Sequence, residues 1–529
     1  MRKLIAGLVM GTALATAPMM AQAETPKNAL VMAFSIDDII TLDPAQIFEF
    51  SGAEYAGNTY DRLIGFDNED VSKIHGVLAE SWEVSEDGKT FTFKIRDGIE
   101  FASGNDLTAE DAAFSLQRVI LLDQSPAFIL GQFGFTAENV KDKIYAADES
   151  TLVMEVDQPY APSFVLYCLT AGVGAVVDKE EVLAHEVDGD LGHEWLKTNY
   201  AGSGPFKLNK WTAGESLSLT ANEDYWDGAP EMKRVIIRSV KESAAQQLLL
   251  EKGDIDIARN LEADQLASIA DNDDIKLLSK GKGALWYLGL SQKNEYLSNP
   301  KVREALKYLV DYKGISETIL AGRSQIHQAF LPEGFLGAYN ENPYSLNIEK
   351  AKSLLAEAGY PDGFSVTMDT RNTTSIMAMA QSIQATWAQV GINLEIIPGD
   401  GKQTLTKYRA RQHDIYIGRW GPDYQDPHTN ASTFAWNPDN SDDASAKPLA
   451  WRNSWDAGDL TAKTDAATLE RDDTKRAEMY VDLQKQVLEN GPFVIMFQET
   501  EIASMRGNVN NFVLGPSFDN NYYRYVTKD

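Results

Sequence analysis

The chain has 529 residues, with 78 Asp or Glu against 48 Lys or Arg, so its formal net charge is −30. This acidic balance argues against nucleic acid and anionic lipid surfaces as partners. The length predicts several domains. The single cysteine excludes a disulfide within the chain, and in the apolar stretch SFVLYCLTAGV we interpret Cys168 as a buried small hydrophobe.

The N-terminus has the pattern of a secretory signal peptide. MRK supplies a positive start, LIAGLVMGTALATA is apolar, and AQA precedes ETPK, so we expect cleavage after Ala23. No later segment reaches about 18 consecutive apolar residues, and no transmembrane helix is predicted. Because no cysteine lies at the cleavage site, we expect no lipid anchor. These features predict a soluble protein of the periplasm of a Gram-negative bacterium, without a lipid anchor.

Strand and helix patterns alternate along the first part of the mature chain. TFTFKIR at 90–96 alternates apolar and polar residues, as a half-buried strand does. TAEDAAFSLQRVI at 108–120 predicts a helix with a capping box formed by Thr108 and Asp111. NPKVREALKYLV at 299–310 predicts a helix that begins with an Asn cap and a Pro at its first position.

The same alternation continues to the C-terminus. Helices are predicted in NIEKAKSLLAEAGYPDG at 347–363, in the first part of SIMAMAQSIQATWAQVGINLEII at 375–397, and in DTKRAEMYVDLQKQVLENG at 473–491. Each of the last two is followed by an apolar, strand-like run. Strands joined through helices predict crossover connections, largely parallel sheets and an α/β fold with more than one lobe.

The stretch GRWGPDYQDP at 418–427 follows the strand-like run HDIYI. A turn at this place needs the glycine and the prolines, but it needs neither the aromatic residues nor an acid on each side of Tyr424. From the residues alone, a solvent-facing turn acid is the preferred interpretation of Asp423. Asp426 and Pro427 are expected to cap and shape the turn.

Many motifs in register carry a resemblance to a known family. They are TLDPAQ at 41–46, LAESWEVSEDGKTFTFKIRDGIEFASGNDLTAEDAAFSLQRV at 78–119, GSGPFKL at 202–208, ANEDYWDGAP at 221–230, KGDIDIA at 252–258, VREAL, KAKSLLAEAGYPDGF and WGPDYQDP. On these motifs the chain resembles the bacterial extracellular solute-binding proteins of the peptide and nickel class, which serve ABC importers. The resemblance covers essentially the whole mature chain.

The resemblance implies a two-lobed binding protein that closes on its ligand about a hinge, with an extra domain inserted. Carried onto this sequence, the predicted divisions are lobe I at 24–70, 200–283 and 500–529, the extra domain at 71–199, and lobe II at 284–499. The chain crosses between the lobes at two places, which is what makes a hinge.

In peptide-binding members, the aspartate of the W-x-x-D-Y pattern pairs with the ligand's α-ammonium group, and here that position is Asp423. A free ammonium taken out of water needs hydrogen bonds and a counter-charge, and a fixed carboxylate supplies both. Arg419, Trp420 and Gly421 would lie beside the ligand as an edge of backbone groups. Tyr424 completes this part of the predicted site.

For the other end of a peptide, the resemblance suggests Arg371. In dipeptide-binding members an arginine ahead of a W-A-x-V-G helix end pairs with the α-carboxylate, and this chain has WAQVGI at 387–392. The planar guanidinium suits a carboxylate because it can bind both oxygens. The correspondence is offset by about one residue, and a plain surface arginine is an equal alternative.

The segment FEFSGAEY at 48–55 matches the part of lobe I whose backbone meets the ligand in the family. Phe48, Glu49 and Phe50 are the candidates. The two phenylalanines are equally consistent with core residues on one strand face. Glu49 together with Asp423 is consistent with a pocket for a ligand that has two positive groups.

Other functions have weaker support in the sequence. Asp423 with Asp426 or Glu49 could be imagined as the carboxylate pair of a hydrolase, but G-x-S-x-G and H-E-x-x-H are absent, so we predict no enzyme. None of the six histidines forms a tight two-His motif, although His413 and His428 flank the WGPDY segment, and neither metal nor cofactor is predicted.

The sequence thus predicts a monomeric substrate-binding component of an ABC importer that captures short peptides and delivers them to a membrane permease. The alternative is the same role for another solute, such as an opine, a sugar derivative or a polyamine-like compound, with nickel ranked below these.

Overall fold

The structure is a computed structural model that describes residues 24–259 and 261–529. The predicted signal peptide, residues 1–23, lies outside the described residues. Among the helices of the described residues, none combines the length and the apolar character that a membrane crossing requires.

The strands vary from two-residue pairs to segments of 16 residues. In chain order they are β1 (Ala29–Phe34), β2 (Ile64–Phe66), β3 (Ile74–Gly76), β4 (Ala79–Val84), β5 (Thr90–Ile95), β6 (Ile144–Asp148), β7 (Thr151–Glu155), β8 (Phe206–Thr212), β9 (Ser216–Ala221), β10 (Arg234–Ser239), β11 (Ile257–Ala258), β12 (Ile275–Leu290), β13 (Ser324–Ile326), β14 (Ser365–Arg371), β15 (Asn393–Gly399), β16 (Ile415–Trp420), β17 (Phe493–Arg506), β18 (Val509–Asn510) and β19 (Thr527–Lys528).

The α-helices range from single turns to five-turn segments. They are α1 (Phe50–Thr59), α2 (Ala109–Leu122), α3 (Phe128–Gly131), α4 (Val140–Lys143), α5 (Pro162–Leu169), α6 (Lys179–Ala184), α7 (His193–Leu196), α8 (Ser243–Lys252), α9 (Ala263–Ile269), α10 (Pro300–Lys307), α11 (Tyr312–Gly314), α12 (Ile348–Glu357), α13 (Thr374–Ala388), α14 (Gly401–Arg409), α15 (His428–Phe434), α16 (Leu449–Arg452), α17 (Asp459–Leu469) and α18 (Asp473–Asn490). Short 3₁₀ turns cover Ser125–Ala127, Gly172–Gly174 and Phe518–Asn520, and a π turn covers Ile315–Ile319.

One large sheet runs through the molecule in the order β15-β14-β16-β12-β17-β11-β1-β10-β9-β8, and β13 pairs with β17. The long strands β12 and β17 pair antiparallel at its centre, from Ile275 opposite Arg506 to Gly289 opposite Phe493. The predicted lobe boundaries at 283/284 and 499/500 fall inside these two strands. By this division, each of the two strands continues from one predicted lobe into the other, as the predicted hinge requires.

The prediction of largely parallel sheets was wrong, because the large sheet is mixed. In the described residues, parallel pairing joins β1 to β10 and β11, and β14 to β15 and β16. A helical crossover such as α13 makes neighbouring strands parallel. In contrast, β8 and β9 pair antiparallel in a hairpin, and the long strands β12 and β17 also run antiparallel to each other.

A separate antiparallel sheet, β4-β5-β7-β6, lies within the predicted extra domain and packs against α2. Phe91, Phe93 and Ile95 of β5 are buried, as their alternation predicts. The capping box of Thr108 and Asp111 is present at the start of α2. The local sequence therefore specifies this layer well.

Further predicted details agree with the structure. Asn299 caps α10 by accepting a hydrogen bond from the backbone N–H of Lys301, although α10 ends at Lys307 rather than at 310. Cys168 lies in the apolar core of the extra domain, where burial raises the pKa of its thiol. The interpretation of this cysteine as a buried hydrophobe is confirmed.

Candidate ligand-binding site

A cavity of about 250 Å³ lies where the predicted lobe I, lobe II and extra domain meet, and we call it the binding cavity. Lobe I contributes the start of α1 and the segment 516–519, lobe II contributes 420–425, and the extra domain contributes 170–173. The structure brings together seven of the nine predicted site residues in its lining, namely Phe48, Glu49, Phe50, Trp420, Gly421, Asp423 and Tyr424.

The loop that carries Asp423 connects β16 to α15 and is fixed from both sides. The indole N–H of Trp420, the last residue of β16, donates to Oδ1 of Asn430 at 3.0 Å. The backbone N–H of Asp423 donates to Oγ1 of Thr429 at 3.0 Å. Since both acceptors lie on α15, the helix holds the loop and thereby the position of Asp423.

A buried ion pair fixes the same loop at its other end. Both oxygens of Asp426 accept hydrogen bonds from the Arg476 guanidinium, at 2.6 and 2.8 Å, and both side chains are fully buried. Oδ1 of Asp426 also accepts from the backbone N–H of His428 at 2.8 Å. Asp426 thus shapes the turn as predicted, and its pairing with α18 leaves it bound within the protein rather than available as the partner of a second carboxylate.

Asp423 contrasts with this arrangement because no basic side chain of the described residues forms an ion pair with its carboxylate. Burial raises the pKa of Asp423 to about 7, and the charge of Arg452 acts in the opposite direction. A carboxyl group in this position gains stability when a cation arrives beside it. The geometry therefore provides an acceptor and a counter-charge for a ligand ammonium group.

The wall of the binding cavity from the predicted lobe I includes the start of a helix, and the alternative of a strand with both phenylalanines on one core face was wrong. Phe50 is the first residue of α1, and its ring stacks on Phe518 with centroids 4.2 Å apart. Phe48 is 42% exposed. Neither phenylalanine is buried in the core, so their apolar surface faces the cavity. A Cβ atom at Gly421 would lie 2.9 Å from the Phe50 ring, which explains the glycine there.

Arg419 lies between the binding cavity and a neighbouring cavity of about 340 Å³, which we call the polar cavity. Its guanidinium carbon is 4.6 Å from the ring centre of Phe50 and 5.6 Å from that of Phe518. Its Nε donates to Glu499 at 2.5 Å. Two further arginines line the polar cavity and each pairs with glutamate, Arg259 with Glu54 and Glu501, and Arg323 with Glu262.

Arg371 is placed away from both cavities. It is the exposed last residue of β14, and its guanidinium lies beside Gly401 of α14. Neither the binding cavity nor the polar cavity includes it in its lining. Its predicted contact with a ligand carboxylate stays a prediction.

Tyr424 joins lobe II to the extra domain. Its side chain is 5% exposed, packs beside Phe164 in the core of the extra domain, and places its hydroxyl 3.4 Å from Oε1 of Gln132. Only part of this residue borders the cavity. Its main contribution in the structure is to pin the Asp423 loop against the extra domain.

Several residues of the cavity wall were not predicted from the sequence. Phe518 and Asp519 come from a 3₁₀ turn near the C-terminus, and Ile129 and Val173 come from the extra domain. Asp519 pairs with Arg62 at 2.7 Å. No periodicity or motif marks these residues, because each reaches the cavity through the packing of distant segments.

Metal binding finds no support in the described residues, which hold no group of three or more His, Cys, Asp or Glu suited to a metal ion. His413 packs against Tyr408 and lies 3.1 Å from Asn453, whereas His428 packs against Phe164. Burial lowers the pKa of both imidazoles to about 4. These two histidines therefore pack among different neighbours.

Comparisons with known proteins identify relatives that match most of the chain. The chain is 29% identical over 512 residues to the probable D,D-dipeptide-binding periplasmic protein DdpA of Escherichia coli (strain K12), a match that covers 96% of this chain and 95% of that protein. It is 26% identical over 487 residues to the dipeptide-binding protein of the same organism, covering 88% and 89% of the two chains.

Among solved structures, the ABC transporter-associated periplasmic binding protein DppA from Helicobacter pylori, in complex with the peptide STSA, superposes with a TM-score of 0.78. The two share 25% identity, and the alignment covers 94% of this chain and 98% of that one. The predicted two-lobed fold of this binding-protein class is thereby confirmed.

A sequence model of the family described as bacterial extracellular solute-binding proteins, family 5 Middle, matches residues 73–442, which is more than half of the chain. The match includes the signature region near residue 78 and the loop that carries Asp423. The resemblance seen in the sequence is confirmed, and the chain belongs to the family 5 bacterial extracellular solute-binding proteins.

Proposed function

We propose that this protein captures short peptides in the periplasm, between its two lobes, and delivers them to the permease of an ABC importer. The observation that carries the proposal is the Asp423 carboxylate, which faces the binding cavity without a cationic partner among the described residues. The α-ammonium group of a peptide supplies the missing charge and the hydrogen-bond donors.

The names of the relatives support a peptide as ligand. Two curated relatives are named for dipeptides, and the H. pylori structure contains a bound peptide. Backbone groups of the segment 419–421 lie at the end of β16, beside Asp423, where an extended ligand can pair with them. Contacts to the peptide backbone and to its charged end favour binding that tolerates different side chains.

Closure of the lobes gives this capture its mechanism. Glu262 of lobe I accepts hydrogen bonds from Arg323 of lobe II and, at 2.9 Å, from Oγ of Ser375 of lobe II. A ligand that touches both walls of the binding cavity favours the closed state, and it shifts the equilibrium only by the difference between its affinities for the two states. We propose that the closed monomer presents both lobes to the permease.

The experiment that tests the proposal compares a dipeptide with its N-acetylated form by isothermal titration calorimetry. Acetylation replaces the charged ammonium group by a neutral amide that carries an added acetyl group, and it leaves the rest of the ligand unchanged. We expect the free dipeptide to bind and the acetylated form to bind at least about 100-fold more weakly, as for the loss of a buried charge pair. Equal affinities would overturn the role of Asp423.

Mass spectrometry of the compounds released from the purified protein by denaturation supplies an independent check. Short peptides would support the proposal and show the ligand length. A single opine, sugar derivative or polyamine would overturn the peptide assignment. Release of a product from any incubated peptide or glycoside would contradict a purely binding role.

A further inference from the structure

The binding cavity carries more negative charge than one ligand ammonium group needs. Its lining includes three acids, Glu49, Asp423 and Asp519, but no Lys, Arg or His of the described residues. Arg62 neutralises Asp519 from outside the cavity, at 2.7 Å. Glu49 and Asp423 form no ion pair with any basic side chain in the part of the chain that the structure describes.

The local structure does not explain why a glutamate stands at position 49. The residue occupies the N-cap of α1, yet its side chain makes no capping hydrogen bond to the helix. Ser, Thr, Asp and Asn are the preferred residues at an N-cap, and glutamate is not among them. The Glu49 carboxylate accepts a hydrogen bond at 3.2 Å from the backbone N–H of Phe48, which lies outside the helix.

The surroundings of Glu49 favour a cation. Burial raises the pKa of its carboxyl group, and the nearby negative charge of Asp38 adds to this effect. Phe48 and Trp420 line the same cavity. Aromatic faces attract cations, and apolar walls accept the methylene groups that precede the charge of a lysine or arginine side chain.

We propose that Glu49 selects ligands with a second positive charge close to the ammonium group bound by Asp423, such as peptides that begin with lysine, arginine or ornithine. This inference rests on the proposed function and narrows its ligand class. A residue of this kind carries both positive groups on one amino acid, so both can enter one cavity. Since no basic side chain of the described residues lines the cavity, a ligand with net positive charge compensates the negative charge of its carboxylates.

The test uses two dipeptides, lysyl-alanine and norleucyl-alanine, which differ only in the ammonium group at the end of the first side chain. Their affinities are measured by calorimetry for the wild-type protein, for Glu49→Gln and for the control Glu215→Gln. Glu215 is an exposed acid in the turn between β8 and β9, outside the binding cavity and the polar cavity. The control removes the same charge from the protein without touching the binding cavity.

We expect the wild-type protein and Glu215→Gln to prefer lysyl-alanine by about tenfold or more, the effect of one charged hydrogen bond. In Glu49→Gln this ratio should fall close to one. Equal affinities of the wild-type protein for the two dipeptides, or an unchanged ratio in Glu49→Gln, would overturn the inference alone. Failure of both dipeptides to bind would overturn the proposed function as well.

Discussion

Asp423 and Asp426 belong to one loop, and the fold gives them opposite surroundings. Asp426 is fully buried and bonded through both oxygens to Arg476, so its charge is compensated inside the protein. Asp423 faces the binding cavity, and burial without a cationic partner raises its pKa to about 7. One acid therefore stabilises the loop, whereas the other lines the cavity without a cationic partner among the described residues.

The largest expected effect comes from breaking the internal pair. Asp426→Ala leaves the buried Arg476 guanidinium without its partner, which should lower the free energy of unfolding by about 3–5 kcal/mol. Denaturant titration followed by circular dichroism measures this change. The isosteric Asp423→Asn serves as the matched control and should not lower the midpoint. An unchanged midpoint in Asp426→Ala would show that the pair with Arg476 does not stabilise the folded protein.

The second largest effect is expected from the removal of the carboxylate charge of Asp423. Asp423→Asn keeps the shape of the side chain but leaves the ligand ammonium without a counter-charge, so peptide affinity should fall about 100-fold or more. Calorimetry with a tightly binding dipeptide measures the loss. An N-acetylated dipeptide should bind the variant and the wild-type protein equally. Retention of full affinity by the variant would place the ammonium elsewhere.

The third prediction uses pH. With a pKa of about 7, free Asp423 is protonated below pH 7, and an incoming ammonium must displace that proton. Affinity should therefore fall by about tenfold for each pH unit below 7. The charge of Arg452 acts against the raised pKa of Asp423. Burial and the charge of Asp38 raise the pKa of Glu49 as well, so protonation of Glu49 at low pH should also lower the affinity for a cation.

Calorimetry between pH 5 and 8, in buffers of different ionisation enthalpy, measures both the affinity and the protons released. Asp423→Asn should flatten the profile. The raised pKa of Asp423 also makes the folded wild-type protein less stable as pH rises from the ordinary pKa of a carboxyl group through 7. The free energy of unfolding of the wild-type protein, relative to that of Asp423→Asn, should therefore be higher at low pH than at pH 7. A wild-type affinity that is constant over this range would contradict the assignment.

The smallest expected effect concerns closure. Glu262→Gln weakens the contact with Arg323 and Ser375 across the lobes. The pair is partly exposed, and such pairs are worth about 0–1 kcal/mol, so peptide affinity should fall no more than about fivefold. Small-angle scattering of the unliganded variant should show a larger population of open molecules. A loss as large as that of Asp423→Asn would mean that Glu262 itself contacts ligand.

Local patterns predicted much of the fold, because capping, alternation and helix periodicity depend on neighbouring residues. The capping box of Thr108 and the buried face of β5 are examples. The strand pairing was harder to predict from the sequence, because β12 and β17 are far apart in the chain and pair antiparallel in the middle of a mixed sheet. The same holds for the cavity wall formed by Phe518 and Asp519.

The family, the two-lobed architecture and the loop that carries Asp423 could be predicted from the sequence, because contiguous motifs mark them. The tertiary structure alone revealed that Asp426 is paired with Arg476, that Arg371 lies apart from both cavities and that the Tyr424 ring packs into the predicted extra domain. Burial and charge pairing depend on segments brought together from the whole chain. The chemistry of a carboxylate is therefore decided by what packs against it and not by its neighbours in sequence.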